Sequence, residues 1–516
     1  MSVSIGPIAS TRSGPVAGVA VPADETHRNE VIQFSGIPFA RPITGAARFG
    51  APSREASWTE VRDARVFGEV VAQVASPLAA TMGGRAPVTG DDCLNLNVWT
   101  PATGDGARPV MVWIHGGAYV TGTGSTPWYD GRRFAANHDV VVVTINYRLG
   151  ALGYLDVSRL VPDAADLAMP NGGLLDQVAA LEWVSECIAS FGGDPSNVTV
   201  FGESAGAFSI GALLGTPAAN GLFRRAIFQS GAAAHISTPE QADRSATQFF
   251  AALGLPVDRT GVAALASIAM GDLIAATQTV SGTDSGGALA WQPTSGTASL
   301  PTAPLDAVRT GTHRGIDVLF GTTREEMRLF TAFDPSMASI DEEHILDRLN
   351  RTIEDDLAGA IAEGYLADEP GRSAADTWVE ISTDQTFRWP ADQLARALHA
   401  GGANHMFAYE FDWATPAFGG VLGSCHGLEI PFVFNNLHQP GAEMFTGSGP
   451  ERQAIADVLH QAWANFAHLG DPNGEGIAGA PAWPQWDPVD RATLTVGNDV
   501  RVVTDPRGEQ LRRWPT

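Results

Sequence analysis

The pentapeptide Gly202-Glu203-Ser204-Ala205-Gly206 carries the residue types of a nucleophile set on a sharp turn. It follows the β-branched run Asn197-Val-Thr-Val-Phe201 and precedes an apolar stretch that reads as a helix. Glycines on both sides allow a turn too tight for side chains, and such a turn lifts a hydroxyl clear of the backbone. With 57 glycines in 516 residues the string alone carries little weight. Its company carries more. Upstream, Trp113-Ile-His-Gly-Gly-Ala-Tyr119 closes another apolar run, where two glycines can turn backbone N–H groups inward toward the negative oxygen of a tetrahedral intermediate. Gly117 and Ala118 are assigned as donors, Ala205 as the third, and Gly116 as a hinge of the loop. The chemistry such a set performs is attack of a serine on a carbonyl carbon.

A serine needs a base, and the base needs an orienting acid. Among twelve histidines, His426 stands out in the glycine-rich loop Gly420-Val-Leu-Gly-Ser-Cys-His-Gly-Leu-Glu-Ile-Pro-Phe432, which can hold an imidazole over a neighbouring strand end. His405, His438 and His460 lack that setting. The apolar run Ile316–Phe320 leads into Gly321-Thr-Thr-Arg-Glu-Glu-Met327, so Glu325 and Glu326 compete for the acid. Adjacent residues at a strand end point in different directions, and spacing does not separate the two. Glu203, beside the serine, is read either as an electrostatic tuner of the site or as a structural carboxylate.

These residues require elements to position them. Short, nearly continuous apolar runs at 110–114, 140–145, 198–201, 226–228, 316–320 and 406–411 alternate with helical patterns, which is the pattern of strands buried on both faces. The expected architecture is α/β, an α/β-hydrolase fold with a large, mostly parallel sheet, helices on both faces, and helical and loop insertions around the active-site entrance. Residues 1–516 are expected to form a single catalytic domain. Residues 74–92 lack periodicity and read as a surface excursion. A helical insertion is expected at about 336–400, where Ile345, Leu349, Ile353, Leu357 and Ile361 recur every fourth position as a packing stripe.

Composition narrows the function. Hydrophobic residues at 44% and charged ones at 17% describe a chain able to bury a large core. A net charge of −25 excludes the basic footprint that nucleic acid or an anionic membrane requires. No apolar run reaches the roughly 18 residues of a membrane span. The N-terminal residues lack a signal-peptide pattern, and Cys93, Cys187 and Cys425 leave at least one cysteine unpaired, so the expected address is cytoplasmic. No CxxC pair or clustered ligand set points to a metal, and no cofactor is expected. Tyr119, Trp128, Trp291, Phe387 and Trp389 are candidates for an aromatic-lined cleft, although core packing explains any one of them equally well.

Over nearly its whole length the chain resembles the type-B carboxylesterases, a group that includes cholinesterases, bacterial p-nitrobenzyl esterases and the non-catalytic neuroligins. Matching stretches include Phe34–Pro42, Asp91–Val98, the loop at 115–117, Asn146–Leu149, Asn171–Gln177, Phe191–Pro195, the serine turn, Gln229–Gly231 and Gly470–Asn473. The resemblance implies Ser204 as nucleophile, His426 as base and Glu326 as the acid, by a pattern that here reads Glu325-Glu326-Met327 in place of an acidic-Glu-Gly sequence. It implies an ion pair between Arg41 and Asp91. It also implies a bacterial esterase, and the candidate apolar, aromatic-lined cleft predicts uncharged short- to medium-chain or aryl esters as its substrates. The loop at 74–92 has no aromatic residue to bind a quaternary ammonium, so choline esters are not expected. Carbamates, amides and thioesters are alternative substrates for the same residues, and a neuroligin-like binding protein is the non-enzymatic alternative. A small-molecule ester is the expected partner, and the short C-terminal segment suits a monomer or small homo-oligomer.

Overall fold

Runs of Val, Ile and Phe have no polar face to offer water, so a strand made from them must be covered on both sides. The computed structural model describes residues 6–22, 30–74, 87–104, 106–282, 289–474 and 476–515. In chain order its strands are β1 (Ile8–Ser10), β2 (Pro15–Ala17), β3 (Val19–Pro22), β4 (Glu30–Pro38), β5 (Arg62–Asp63), β6 (Asn95–Thr100), β7 (Arg108–Ile114), β8 (Val141–Ile145), β9 (Gly193–Glu203), β10 (Arg225–Gln229), β11 (Asp317–Thr323), β12 (Met406–Phe411), β13 (Thr493–Val496) and β14 (Val500–Val503). β1, β2 and β5 form a small sheet, and the others form an 11-stranded sheet in the order β14-β13-β12-β11-β10-β9-β7-β8-β6-β4-β3. The centre, from β8 through β13, pairs in parallel. Antiparallel strands close both edges.

The sheet divides two hydrophobic cores, and β7 shows how. Val110, Val112 and Ile114 enter one core while Met111 and Trp113 enter the other. All five are buried, and full burial of such a side chain contributes roughly 1.5–3 kcal/mol. Each strand expected from sequence is present. β8 flanks β7 on one side and β9 on the other, so the chain reverses its path across the sheet there. At such a reversal the loops beyond the strands' carboxyl ends diverge and leave a crevice.

The region expected as a helical insertion contains helices Glu342–Asn350, Asp355–Asp368, Ala374–Thr383 and Trp389–Gly401. The periodic stripe spans two of them rather than one helix. Ile345, Leu349 and Ile361 are buried in a third core with Leu511 and Trp514, and Ile353 and Leu357 pack on its edge. Between the last two helices, Asp384–Arg388 forms a π-helical turn. The excursion at 74–92 lies mostly outside the described residues; Val70, just before it, and Thr89, near its end, form an isolated parallel bridge.

Among the described residues no helix is long and apolar enough to cross a membrane. Arg41 does not pair with Asp91. Its Nε donates to the Arg54 carbonyl at 2.9 Å, and Asp91 is held through its own carbonyl by the Ile43 amide at 2.9 Å. The central buried ion pair is Arg148–Asp176, fully excluded from solvent. Arg148 Nη2 lies 2.7 Å from Asp176 Oδ1, and the guanidinium also donates to the carbonyls of Gly50 and Gly172.

Candidate active site

Ser204 sits where β9 ends and the helix Ala205–Leu214 begins. Its backbone has φ 56° and ψ −125°, a combination that L-residues adopt only when the surrounding structure enforces it. The enforcement comes from β7. A Cβ on Gly202 would lie 2.6 Å from the Ile114 carbonyl oxygen, and one on Gly206 would lie 1.9 Å from the same atom. Both glycines are therefore demanded by close approach of the turn to β7. The Ser204 amide donates to Gln229 O at 3.0 Å, and its carbonyl accepts from the Phe208 amide at 2.8 Å. Its hydroxyl has no hydrogen-bond partner among the described residues.

Beyond β7 the loop takes positive φ at Gly117 (113°), Ala118 (52°) and Tyr119 (61°). Gly116, expected as the hinge of the loop, does not share the positive φ of Gly117. Gly116 is required for a different reason, since a Cβ there would lie 2.8 Å from Glu203 O and 3.1 Å from Ser204 Cβ. His115 steadies the turn. Its ring stacks on Tyr147, and its Nδ1 lies 2.9 Å from Gly116 O. Burial lowers its pKa to about 4, which keeps it neutral and able to donate from Nδ1. Among the described residues no acceptor pairs with the amides of Gly117, Ala118 or Ala205. The last of these opens a helix, where amides have no partner within the helix.

His426 is buried, and two glutamates, Glu326 and Glu203, approach its two ring nitrogens. Its Nδ1 lies 2.6 Å from Glu326 Oε2, and Glu326 is completely buried with its Oε1 accepting from the Thr323 amide at 2.8 Å. Glu325 serves another purpose. It accepts from the Ser424 amide at 3.0 Å, lies 2.6 Å from Arg328, and donates its own amide to Ser424 O at 2.9 Å, so it clamps the loop that carries His426. Met327, at the position expected to be glycine, has φ −72° and ψ −9°, which any side chain tolerates; the side chain lines the cavity above Ser204.

Glu203 Oε1 approaches His426 Nε2 to 3.0 Å, near enough for strong charge attraction but outside hydrogen-bond alignment. Burial by itself lowers the His426 pKa. The charges of Glu203 and Glu326 together outweigh burial and raise it well above the usual histidine value. Glu429, three residues beyond His426 in the turn that precedes the helix Ile430–Val433, is fully buried and accepts from Gln229 Nε2 at 3.1 Å. Burial, then repulsion from Glu203 and Glu326, raises its pKa. Arg388 lies behind the group, donating to Arg324 O at 2.9 Å.

The cavity above Ser204 has a volume of about 520 Å³, and Ala118, Ala205, Phe208, Met327, Phe330 and Phe387 are in its wall. Of the five aromatic candidates, Phe387 is there, carried by the π-helical turn with its ring 4.7 Å from His426. The other four do not line it. Tyr119 packs edge-on to Tyr154, Trp128 stacks on Phe445 and bonds Pro440 O, Trp291 packs on Phe249 and bonds Thr277 O, and Trp389 stacks on Trp514. Large aromatic rings fill cores as readily as pockets, and sequence does not distinguish the two uses. Phe208 and Phe330 were missed. Phe208 follows Ser204 by one helical turn, a spacing that would have revealed it. Among the described residues no group of acidic, histidine and cysteine side chains is disposed to hold a metal, and the three cysteines are free and buried.

A parallel sheet with a serine turn at the end of β9 defines the class of this protein: it has the α/β-hydrolase fold. The family model described as the carboxylesterase family matches residues 6–514. Para-nitrobenzyl esterase of Bacillus subtilis (strain 168) is 37% identical, with 98% of each chain covered, and phenmedipham hydrolase of Pseudarthrobacter oxydans is 35% identical over 96% of this chain and 95% of that one. A solved PNB esterase superposes with a TM-score of 0.86 at 36% identity over 99% of each chain. A Geobacillus stearothermophilus carboxylesterase does so at 0.85 and 39%, covering 98% of this chain and all of the other. The chain belongs to the carboxylesterase family and is a carboxylic ester hydrolase.

Proposed function

We propose that Ser204 is the nucleophile, His426 the general base and Glu326 its orienting acid, and that the amides of Gly117, Ala118 and Ala205 form the oxyanion hole. The carrying observation is the buried 2.6 Å contact between Glu326 and His426 Nδ1 beside a serine held at φ 56°. That contact holds the imidazole in the tautomer that leaves Nε2 free to accept a proton. As substrate enters, the unpaired Ser204 hydroxyl turns to Nε2, a bond that commonly tightens only once substrate is bound. Ser204 Oγ attacks the carbonyl carbon, and its proton passes to Nε2. The tetrahedral oxygen takes up the three amides. The alcohol departs with the proton from His426, leaving an acyl-enzyme, and water deprotonated by the same imidazole releases the acid.

The apolar wall favours uncharged short- to medium-chain or aryl esters. Carbamates, amides and thioesters place a carbonyl in the same position and form the second substrate class. A para-nitrobenzyl esterase and a phenmedipham hydrolase among the relatives support that breadth. Three buried free cysteines support a cytoplasmic address. A single catalytic domain with the helical insertion, acting as a monomer or small homo-oligomer on a small-molecule ester, completes the reading.

The test is stoichiometric labelling of Ser204 by an organophosphate, together with p-nitrophenyl ester hydrolysis by Ser204→Ala. The substitution is expected to lower kcat by on the order of 10⁵ or more, to the residue left by binding and the oxyanion hole. Hydrolysis by Ser204→Ala at the parent's rate would overturn the assignment.

A further inference from the structure

We infer that His235 determines specificity by hydrogen-bonding a second polar atom of the substrate. The preferred substrates are then esters that carry an ether, carbonyl or hydroxyl oxygen on one side of the scissile group, in place of unbroken hydrocarbon. This rests on the proposed role of Ser204.

His235 lies in the loop after β10 and lines the same cavity as Ser204. Its ring packs 4.4 Å from Phe208, edge to face, and Phe208 in turn stacks near Phe387, which touches His426. The imidazole therefore interrupts an aromatic wall. Neither ring nitrogen has a hydrogen-bond partner among the described residues. His235 is half-buried and neither nitrogen is sealed from solvent, so a neutral imidazole presents one donor and one acceptor to the open cavity, where a substrate oxygen can replace water on the donor. Burial lowers the His235 pKa to about 4, so the ring meets substrate uncharged near neutrality.

The backbone gives independent support. His235 adopts φ 54°, a left-handed conformation costly for a residue with a Cβ. Strain of that kind concentrates where a side chain must be aimed. A phenylalanine or leucine would serve packing alone, and neither would carry two idle polar atoms into the cavity. Of the other polar side chains in the wall, Asp334, Arg351 and Thr352 are exposed, Arg348 donates to Ser336 Oγ, Gln385 to Thr352 Oγ1 and Ser382 to Trp378 O, and Thr386 completes the set.

The experiment uses two isosteric ester pairs, each differing by one oxygen for one methylene. p-Nitrophenyl methoxyacetate against p-nitrophenyl butyrate probes the acyl side, and 2-methoxyethyl acetate against butyl acetate probes the alcohol side. The readout is the ether-to-hydrocarbon ratio of kcat/KM in the parent divided by that in His235→Phe, which cancels the intrinsic reactivity of each ester. From parent to His235→Phe the ether-to-hydrocarbon ratio is expected to fall about fivefold in one pair, a quotient of about five, the effect of one neutral hydrogen bond. His235→Asn, which tolerates positive φ and keeps a donor and an acceptor, is expected to restore at least half of the preference. An unchanged ratio in both pairs, or His235→Asn matching His235→Phe, overturns the inference. His235→Leu gives the same comparison should His235→Phe fail to fold. A parent that cleaves none of the four esters and resists the organophosphate overturns the proposed function instead.

Discussion

Replacing Glu203 with glutamine tests the electrostatics of the site directly. Glu203 Oε1 lies 3.0 Å from His426 Nε2, and both side chains are buried. The base must be neutral to accept the serine proton, and two carboxylates hold its pKa well above the ordinary histidine value. The acid limb of kcat/KM against pH, which reports the free enzyme, therefore lies above the usual histidine range. Glu203→Gln keeps the shape of the side chain and removes one charge. Attraction across 3.0 Å is about 1.4 kcal/mol even at the dielectric of water, equivalent to about one pH unit, and it grows several-fold at the lower effective dielectric of a buried site. The limb should thus move to lower pH by at least about one unit. Below the parent's limb, the variant keeps a larger share of its own maximal rate. That maximum should itself fall, because the imidazolium formed in the transition state loses a neighbouring carboxylate. The assay is kcat/KM for p-nitrophenyl acetate from pH 5 to 9, with thermal melts to confirm folding. An acid limb that stays in place or moves upward would refute the claim that Glu203 raises the His426 pKa.

Two further outcomes follow from buried charges elsewhere. The Glu429 pKa is raised in the folded protein, so its ionisation opposes folding once the pH passes the unfolded value of a glutamate; the penalty grows until the pH reaches the folded value. Glu429→Gln is therefore expected to melt higher than the parent at pH 8, with the gap closing toward pH 5, as differential scanning fluorimetry across that range will show. Arg148→Met leaves Asp176 buried without its partner and is expected to destabilise the fold by about 3–5 kcal/mol in urea titration. Should that variant unfold as the parent does, the pair contributes no more than an exposed one.

Chemistry and strands were legible along the chain because each is recorded locally. Glycines around Ser204, glycines after β7 and the apolar runs of the sheet are statements about neighbouring residues, and close approach or two-sided burial leaves that mark in sequence. The choice between Glu325 and Glu326 was not local. It depends on which carboxylate the end of β11 turns toward a loop 100 residues away, and packing decides that. The same holds for the aromatic residues. Phe387 reaches the cavity because a π-helical turn carries it there, whereas Trp128 and Trp291 fill cores, and a ring buried by either route looks identical in sequence.

The stripe from Ile345 to Ile361 had the right period but crosses a break between two helices, since periodicity continues through a turn that keeps the same face inward. Sequence by itself determined the order of the elements, the motif-bearing turns and the candidate serine, acids and histidine. Only the tertiary structure decided that His426 lies between Glu203 and Glu326 and that His235 faces the same cavity as Ser204. Both are relations between side chains far apart in the chain, and they come into being only when the sheet brings its strand ends together.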